Sequence, residues 1–241
     1  MTFLDHAETI AVFDVDETLI PIKSMFSFLE FAMKAKMGSA AGEEAYALFC
    51  AEIGKYKRSL PRETVNRLFY RVFKGWAYTD LEKLVEQWWD HIQPQNRWIP
   101  EVVSTLRDHQ NAGHPIVLLS GSADFILKPI SKALAVDATL AITLGKMHDG
   151  LCDGEILGIQ TIGQGKQEAL AQFECLAEID AKIVGYGDHE SDLAFLLYCD
   201  EAHLVVRQHS EEPDWSRGLS ILRVRDLSSE GTKLGTKELV H

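Results

Sequence analysis

Residues Ile10–Leu19 read IAVFDVDETL, an unbroken apolar run that opens into Asp14-Val15-Asp16-Glu17-Thr18. A stretch apolar at each position is a strand buried on both faces, as in a parallel sheet covered by helices. Residues two apart on a strand project to the same side. Asp14 and Asp16 therefore leave the strand's carboxyl end together, at the edge where open parallel sheets bind ligands. Adjacent carboxylates repel, so one takes up a proton unless a cation joins them. A hard divalent cation, Mg²⁺ before others, suits such oxygen donors. From these residues alone, a turn carrying two solvated acids stays equally open.

The 241-residue chain has room for one large domain, or for one core with an inserted subdomain. Its 24 basic and 36 acidic side chains give a net charge of −12. With no basic run, nucleic acid and membrane surfaces are excluded as partners, because phosphate contacts need clustered Lys and Arg. A small anionic substrate is not excluded, since a local cation inverts the field at a site. Cys50, Cys152, Cys175 and Cys199 are scattered, without metal-ligand spacing, and read as reduced thiols of a cytoplasmic protein. Asp5 and Glu8 at the amino terminus argue against a signal peptide. No stretch approaches the roughly 18 uncharged apolar residues of a membrane span.

From Ser24 to about Gln93 the periodicity is helical. Met25, Phe28, Leu29 and Ala32 form one set, and Tyr46, Phe49, Cys50 and Ile53 a second. Val65, Leu68, Phe69 and Val72 follow Pro61, a first-turn residue. Leu81, Leu84, Val85 and Trp88 follow Thr79-Asp80, a candidate cap. Phe69, Phe73, Trp76, Trp88 and Trp89 are expected to pack as the core of this all-helical insertion. Beyond it, a helix over 101–112 ends at Gly113. Strands are expected at 115–119, 138–144, 182–186, 202–206 and 220–224, with a hairpin over 146–156 turning on Gly150 and Gly154. Helices are expected at 123–134, 164–179 and 190–198, and a polar tail from Asp226. Alternating strands and helices make a doubly wound α/β core, with residues 1–21 and 95–241 in the core and 22–94 inserted.

Four features fall where strands end or helices begin. Asp14-x-Asp16-x-Thr18 is the first. Ser120-Gly121 is the second, where a hydroxyl and an amide can donate to a phosphate oxygen while Gly121 lets backbone approach. Lys166, in Gly163-Gln164-Gly165-Lys166, is the third, where an ammonium and a helix start both favour an anion. Gly187-Asp188-x-x-x-Asp192 is the fourth. Each alone has an ordinary reading: a turn, a solvated lysine, or acids capping the next helix. Their joint occurrence, in this order and at these positions, does not.

This constellation resembles the haloacid dehalogenase-like hydrolase superfamily, and within it the phosphoserine-phosphatase-like branch. DVDETL matches the first motif, LLSGS the second, Lys166 in GQGK the third, and GYGDHESDLAFL the branch's GDxxxD motif. The insertion matches the branch's helical cap, and the resemblance covers residues 9 to about 207. It implies a doubly wound, mostly parallel sheet with an inserted all-helical cap. It also implies Asp14 as nucleophile and Asp16 as general acid, then base. Mg²⁺ would be held by the Asp14 carboxylate, the Asp16 carbonyl and Asp188, with Asp192 behind them. Thr18, Ser120, Gly121 and Lys166 would position the phosphoryl group. Dehalogenases lack the second aspartate, because halide leaves without a proton; Asp16 points to phosphate chemistry.

In phosphoserine phosphatases a glutamate nine residues after the nucleophile binds the substrate's ammonium. Lys23 stands there in this chain, which turns the expectation from phosphoserine toward a small phosphorylated metabolite with an acidic or polyhydroxyl part. Arg67 and Arg71, with Lys74 near them, share a helix face and either meet that part or form a solvated basic face. His189 lies in the last motif, at the site or facing solvent. The reading is a Mg²⁺-dependent phosphatase. A phosphomutase or phosphotransferase on the same scaffold, and a non-catalytic binding protein, remain its rivals. Monomer and homodimer are both open.

Overall fold

The computed structural model describes residues 7–92, 94 and 97–226. Asp5, Gln93, Gln95 and the tail beyond Asp226 lie outside them.

The chain enters through β1 (Thr9–Phe13) and then makes four helices: α1 (Ser24–Met37), α2 (Ser39–Lys57), α3 (Arg62–Tyr70) and α4 (Tyr78–His91). It continues through α5 (Pro100–Asn111), β2 (Ile116–Ala123), α6 (Asp124–Leu134), β3 (Ala138–Lys146) and β4 (Cys152–Leu157). There follow α7 (Gln164–Leu176), β5 (Lys182–Gly187), the short α8 (Leu193–Leu196), β6 (Glu201–Arg207) and β7 (Ser220–Val224). The strands form one sheet in the order β4-β3-β2-β1-β5-β6-β7, parallel throughout except for β4 against β3. β1 is central, with Phe13 level with Leu118 of β2 and Tyr186 of β5.

Alternation along β1 divides the core into two faces. Ile10 and Val12 pack with Val117, Leu119 and Ile183 against Leu170 of α7 and Phe195 and Leu196 of α8. Ala11 and Phe13 pack on the other face with Leu118, Tyr186, Leu106 of α5 and Ile130 of α6. This two-sided burial is why Ile10–Phe13 holds no polar residue. The second cluster runs without a break into the inserted helices. Phe125 of α6 lies against Phe28 at 5.7 Å and Phe73 at 5.8 Å, ring centre to ring centre. Phe69, Phe73, Trp88 and Trp89 are buried core residues and Trp76 is partly buried.

Several boundaries differ from the sequence expectation for local reasons. α4 starts at Tyr78, earlier than a cap at Thr79-Asp80 implies, with Ala77 before it and Asp80 in its first turn. α3 tightens into a 3-10 turn, Arg71–Phe73, that carries Val72. Pro129 sits inside α6. The 190–198 helix begins as a 3-10 turn, Glu190–Asp192, capped by His189. Gly154 lies within β4, not in the hairpin turn; its φ of +77° brings its α-carbon against the Arg71 backbone, 3.1 Å from where a β-carbon would be.

Candidate active site

Three parallel strands, β1, β2 and β5, deliver their carboxyl ends to one place. Asp14 is the first residue beyond β1, and its N–H donates to the Tyr186 carbonyl at 2.8 Å, tying it to β5. The chain then turns through Glu17 at φ +65°, a left-handed conformation uncommon for a non-glycine residue. Such outliers cluster at functional loops. The turn returns Thr18 to the sheet edge, where its hydroxyl donates to Asp188 Oδ1 at 3.0 Å. Thr18, expected to position a phosphoryl group, is thereby brought against Asp188.

Lys166 reaches inward from the first turn of α7 and is 3% exposed. Its ammonium donates to Asp14 Oδ1 at 2.5 Å and Asp192 Oδ1 at 2.6 Å. Three hydrogens are carried on that nitrogen, so one remains for a ligand. Gly165 permits the approach: a β-carbon there would stand 1.9 Å from the Gln160 carbonyl oxygen. Asp192 Oδ2 accepts from the Asp188 and His189 N–H groups at 3.2 and 3.1 Å, which closes the GDHESD loop around it.

Asp14, Asp188 and Asp192 each offer a carboxylate oxygen, and these lie within 4.8 Å of one another. Burial raises the Asp14 pKa to about 7, and Asp192 and Asp16 add to the rise against the pull of Lys166. Asp188 is held well above the usual carboxylate range by burial, Asp14 and Asp192. Burial pulls the Lys166 pKa down, but Asp14 and Asp192 outweigh it and hold it above its ordinary value. One lysine faces three acids, so ionising all three leaves two negative charges without an answer. An all-oxygen donor set with that excess fits a divalent cation.

Asp16 occupies a separate niche. Its Oδ1 accepts from the Ser24 N–H at 3.0 Å and its Oδ2 from the Ser122 hydroxyl at 3.0 Å, while the Ser24 and Ser122 hydroxyls meet at 2.7 Å. Burial raises the Asp16 pKa against these hydrogen bonds. A carboxyl group whose pKa is raised by burial holds its proton more firmly and can serve as an acid. Neither serine stood out in the sequence; Ser122 follows the Ser-Gly motif by one residue and reads as part of the same turn.

The β2 segment Ser120–Ala123 remains strand, and its register with β3 breaks between Leu119 and Ala123. That irregularity releases the Ser-Gly-Ser backbone from the ladder. The Ser120 carbonyl accepts from the Thr161 hydroxyl at 2.6 Å, and Ser120 Oγ accepts from the Ser122 N–H at 3.1 Å. The Ser120 hydroxyl hydrogen is left to donate elsewhere. The Gly121 carbonyl accepts from Tyr70 Oη at 3.0 Å and Asn66 Nδ2 at 3.4 Å, both on α3. Gln160 Nε2 donates to Asn66 Oδ1 at 2.9 Å and the Glu63 carbonyl at 2.8 Å.

α3 therefore meets the core along Arg62, Asn66 and Tyr70, a stripe at spacing four. Arg67 and Arg71 lie one residue, about 100°, around the helix. Arg67 is exposed, and Arg71 pairs with Glu155 of β4 at 3.2 Å. Those two arginines are not the face that α3 turns to the site. Lys23 pairs with Glu17 at 3.2 Å, so its charge is already answered. His189 is exposed at the site's rim, where Arg62 Nη1 lies 2.8 Å from its Nδ1.

The sequence profile of the haloacid dehalogenase-like hydrolases matches residues 11–197, a span that holds every one of these motifs. A histidinol-phosphatase of Neisseria meningitidis serogroup C is 24% identical over 233 residues, covering 86% of this chain and 97% of that protein. A protein of unknown function from Bordetella pertussis superposes with a TM-score of 0.78 at 20% identity, over 90% of this chain and 99% of the other. A phosphoserine phosphatase in a phospho-aspartyl intermediate analogue form superposes with a TM-score of 0.63 at 18% identity, over 92% and 95%. All four thiols are free, and no described helix is long and apolar enough to cross a membrane.

Proposed function

Because the chain belongs to the haloacid dehalogenase-like hydrolase family, we propose that it is a Mg²⁺-dependent phosphatase that hydrolyses a small phosphate monoester through an aspartyl phosphate on Asp14. The observation that carries this is the buried Asp14 carboxylate held by Lys166 at 2.5 Å, with Asp16 held separately by two serines. A carboxylate approaching a phosphoryl dianion is repelled, and Lys166 counters that repulsion from within the site. Asp14 attacks phosphorus as the ester bond to the leaving oxygen breaks. Asp16 gives its proton to that oxygen, then takes one from the water that opens the acyl phosphate. The Ser120 hydroxyl and the third Lys166 hydrogen hold the phosphoryl oxygens. Thr18 acts through Asp188. The Asp14 carboxylate, the Asp16 carbonyl and Asp188, with Asp192 behind them, would hold Mg²⁺, which would supply charge neutralisation at the phosphoryl group.

The helical insertion, residues 22–94, is proposed to act as a cap whose α3 closes on Gly121, Gln160 and His189. Phosphoserine is not the proposed substrate, because Lys23 stands where an ammonium would need an acid. The histidinol-phosphatase relative supports a monoester substrate and, at 24% identity, no narrower one. Purified protein with Mg²⁺, offered a panel that includes p-nitrophenyl phosphate and histidinol phosphate, is expected to release free phosphate. Asp14→Asn is expected to lower release about a thousandfold or more. Transfer to an alcohol acceptor without release would favour a phosphotransferase, and full activity in Asp14→Asn would overturn the reading.

A further inference from the structure

Thr161 lies between β4 and α7, on the segment that leads to Lys166, and is 3% exposed. The Ile162 N–H donates to the Gln160 carbonyl at 2.7 Å, which closes a three-residue turn with Thr161 at its centre. That turn is anchored from two sides. The Gln160 side chain is bonded to α3, and Gly165 packs against the Gln160 carbonyl. Thr161 therefore has a fixed direction, and its hydroxyl donates to the Ser120 carbonyl at 2.6 Å in a buried bond.

A peptide plane is rigid and trans, so fixing a carbonyl fixes the direction of the N–H that follows it. The β2 carbonyls alternate sides. Pro115 accepts from the Ala11 N–H of β1 at 3.0 Å, and Ile116 from the Asp137 N–H at the entry to β3 at 2.9 Å. Continued along the strand, that alternation turns the Ser120 carbonyl to the β3 side, where Thr161 meets it. The Gly121 N–H then faces the β1 side, where Asp14 follows the strand. The next peptide obeys the same rule: Tyr70 Oη holds the Gly121 carbonyl at 3.0 Å, and the Ser122 N–H turns away from it to Ser120 Oγ at 3.1 Å. Residues 120–122 have no partner in the β1 or the β3 register, so no ladder bond orients the Ser120–Gly121 peptide in place of Thr161. We infer that Thr161 is a positioning residue: through that peptide it aims the Gly121 N–H, beside the Ser120 hydroxyl, at the phosphoryl group on Asp14. This rests on the phosphatase reading.

Two substitutions separate the hydroxyl from the packing. Thr161→Val keeps the volume and loses the hydroxyl; Thr161→Ser keeps the hydroxyl and loses a methyl group. Each Mg²⁺-loaded variant is compared with wild type in two readouts, inorganic phosphate affinity by calorimetry and kcat/KM for p-nitrophenyl phosphate. Losing a donor to a developing oxyanion outright costs about a hundredfold or more in rate, and misdirecting one costs less. Thr161→Val is therefore expected to lose about tenfold in both readouts. Thr161→Ser is expected to stay near wild type, and the Mg²⁺ half-saturation point to hold in both variants. A role in packing alone predicts the reverse order, since only the serine leaves a cavity. Should Thr161→Val not fold, Thr161→Cys, whose thiol is a weak donor, takes its place with the same expectation. Equal losses in the valine and serine variants would overturn the positioning role and leave the phosphatase reading standing, as would both readouts unchanged in the valine variant. Phosphate bound by wild type and weakened in Thr161→Val, with no ester hydrolysed, would overturn the phosphatase reading alone. Phosphate neither bound by wild type nor released from p-nitrophenyl phosphate would overturn both.

Discussion

Replacing Lys166 by Met keeps a long apolar stem in a position 3% exposed and removes its charge. The ammonium now bridges Asp14 and Asp192 at 2.5 and 2.6 Å, with Asp188 close by. Without it three acids remain together with no cation. Removing one partner of a buried ion pair costs about 3–5 kcal/mol. The cost depends on pH with a definite sign. Asp14 titrates at about 7 in the folded protein and at 3.8 ordinarily, so over that window the folded chain holds a proton that the unfolded chain has lost. Metal-free stability therefore falls as pH rises through the window. The fall is on the order of 4 kcal/mol, from about three pH units at about 1.4 kcal/mol each. Lys166 is the group that holds the Asp14 pKa down, so its removal pushes that pKa higher and extends the loss to higher pH. Urea unfolding of wild type and Lys166→Met in EDTA, at about pH 5.5 and about pH 8, measures this. The variant's deficit is expected to reach several kcal/mol at the higher pH and to shrink at the lower. An equal deficit at both would refute the charge argument and leave only lost packing.

Mg²⁺ is expected to raise the wild-type unfolding temperature more at about pH 8 than at about pH 5.5, because ligand carboxylates must release protons to bind; a shift independent of pH in a fluorescence melt would contradict the donor set. Ser122→Ala removes the hydroxyl bonded to Asp16 Oδ2 and is expected to lower kcat about tenfold for alkyl monoesters and less for p-nitrophenyl phosphate, whose leaving group needs no proton. Equal losses would mean that Ser122 does not orient the acid. Gly165→Ala places a β-carbon 1.9 Å from the Gln160 carbonyl oxygen and is expected to cost about 3 kcal/mol in urea unfolding; an unchanged midpoint would contradict the packing of the α7 entry.

Asp14, Asp16, Lys166, Asp188 and Asp192 were legible as one group because each lies at a strand end or in a helix's first turns. In a parallel sheet those positions converge on one edge, whatever the intervening chain does. The pairings within the group were not legible, since spacing along the chain does not say which acid Lys166 reaches. Thr18 and Asp188 are 170 residues apart. The helical insertion could be read from its periodicity, but the phase of α3 could not. Arg67 and Arg71 make a stripe as regular as Arg62, Asn66 and Tyr70, and packing of Val65 and Phe69 into the aromatic core decides between them. Gln160 and Ser122 carry no local signal at all, because a neutral polar residue in a turn is ordinary until its partners are known. Ala77 before α4 is a similar case. It has no capping side chain, so the more capable Thr79-Asp80 drew the boundary into the helix.

The central claim is that the phosphoryl group passes through Asp14. Acid quenching of the Mg²⁺-loaded protein during turnover of a radiolabelled monoester, followed by mass spectrometry of the peptide that spans Asp14, reads this directly. Label and added phosphate mass are predicted on Asp14 and absent in Asp14→Asn. Steady release of free phosphate with no label on Asp14 would contradict it.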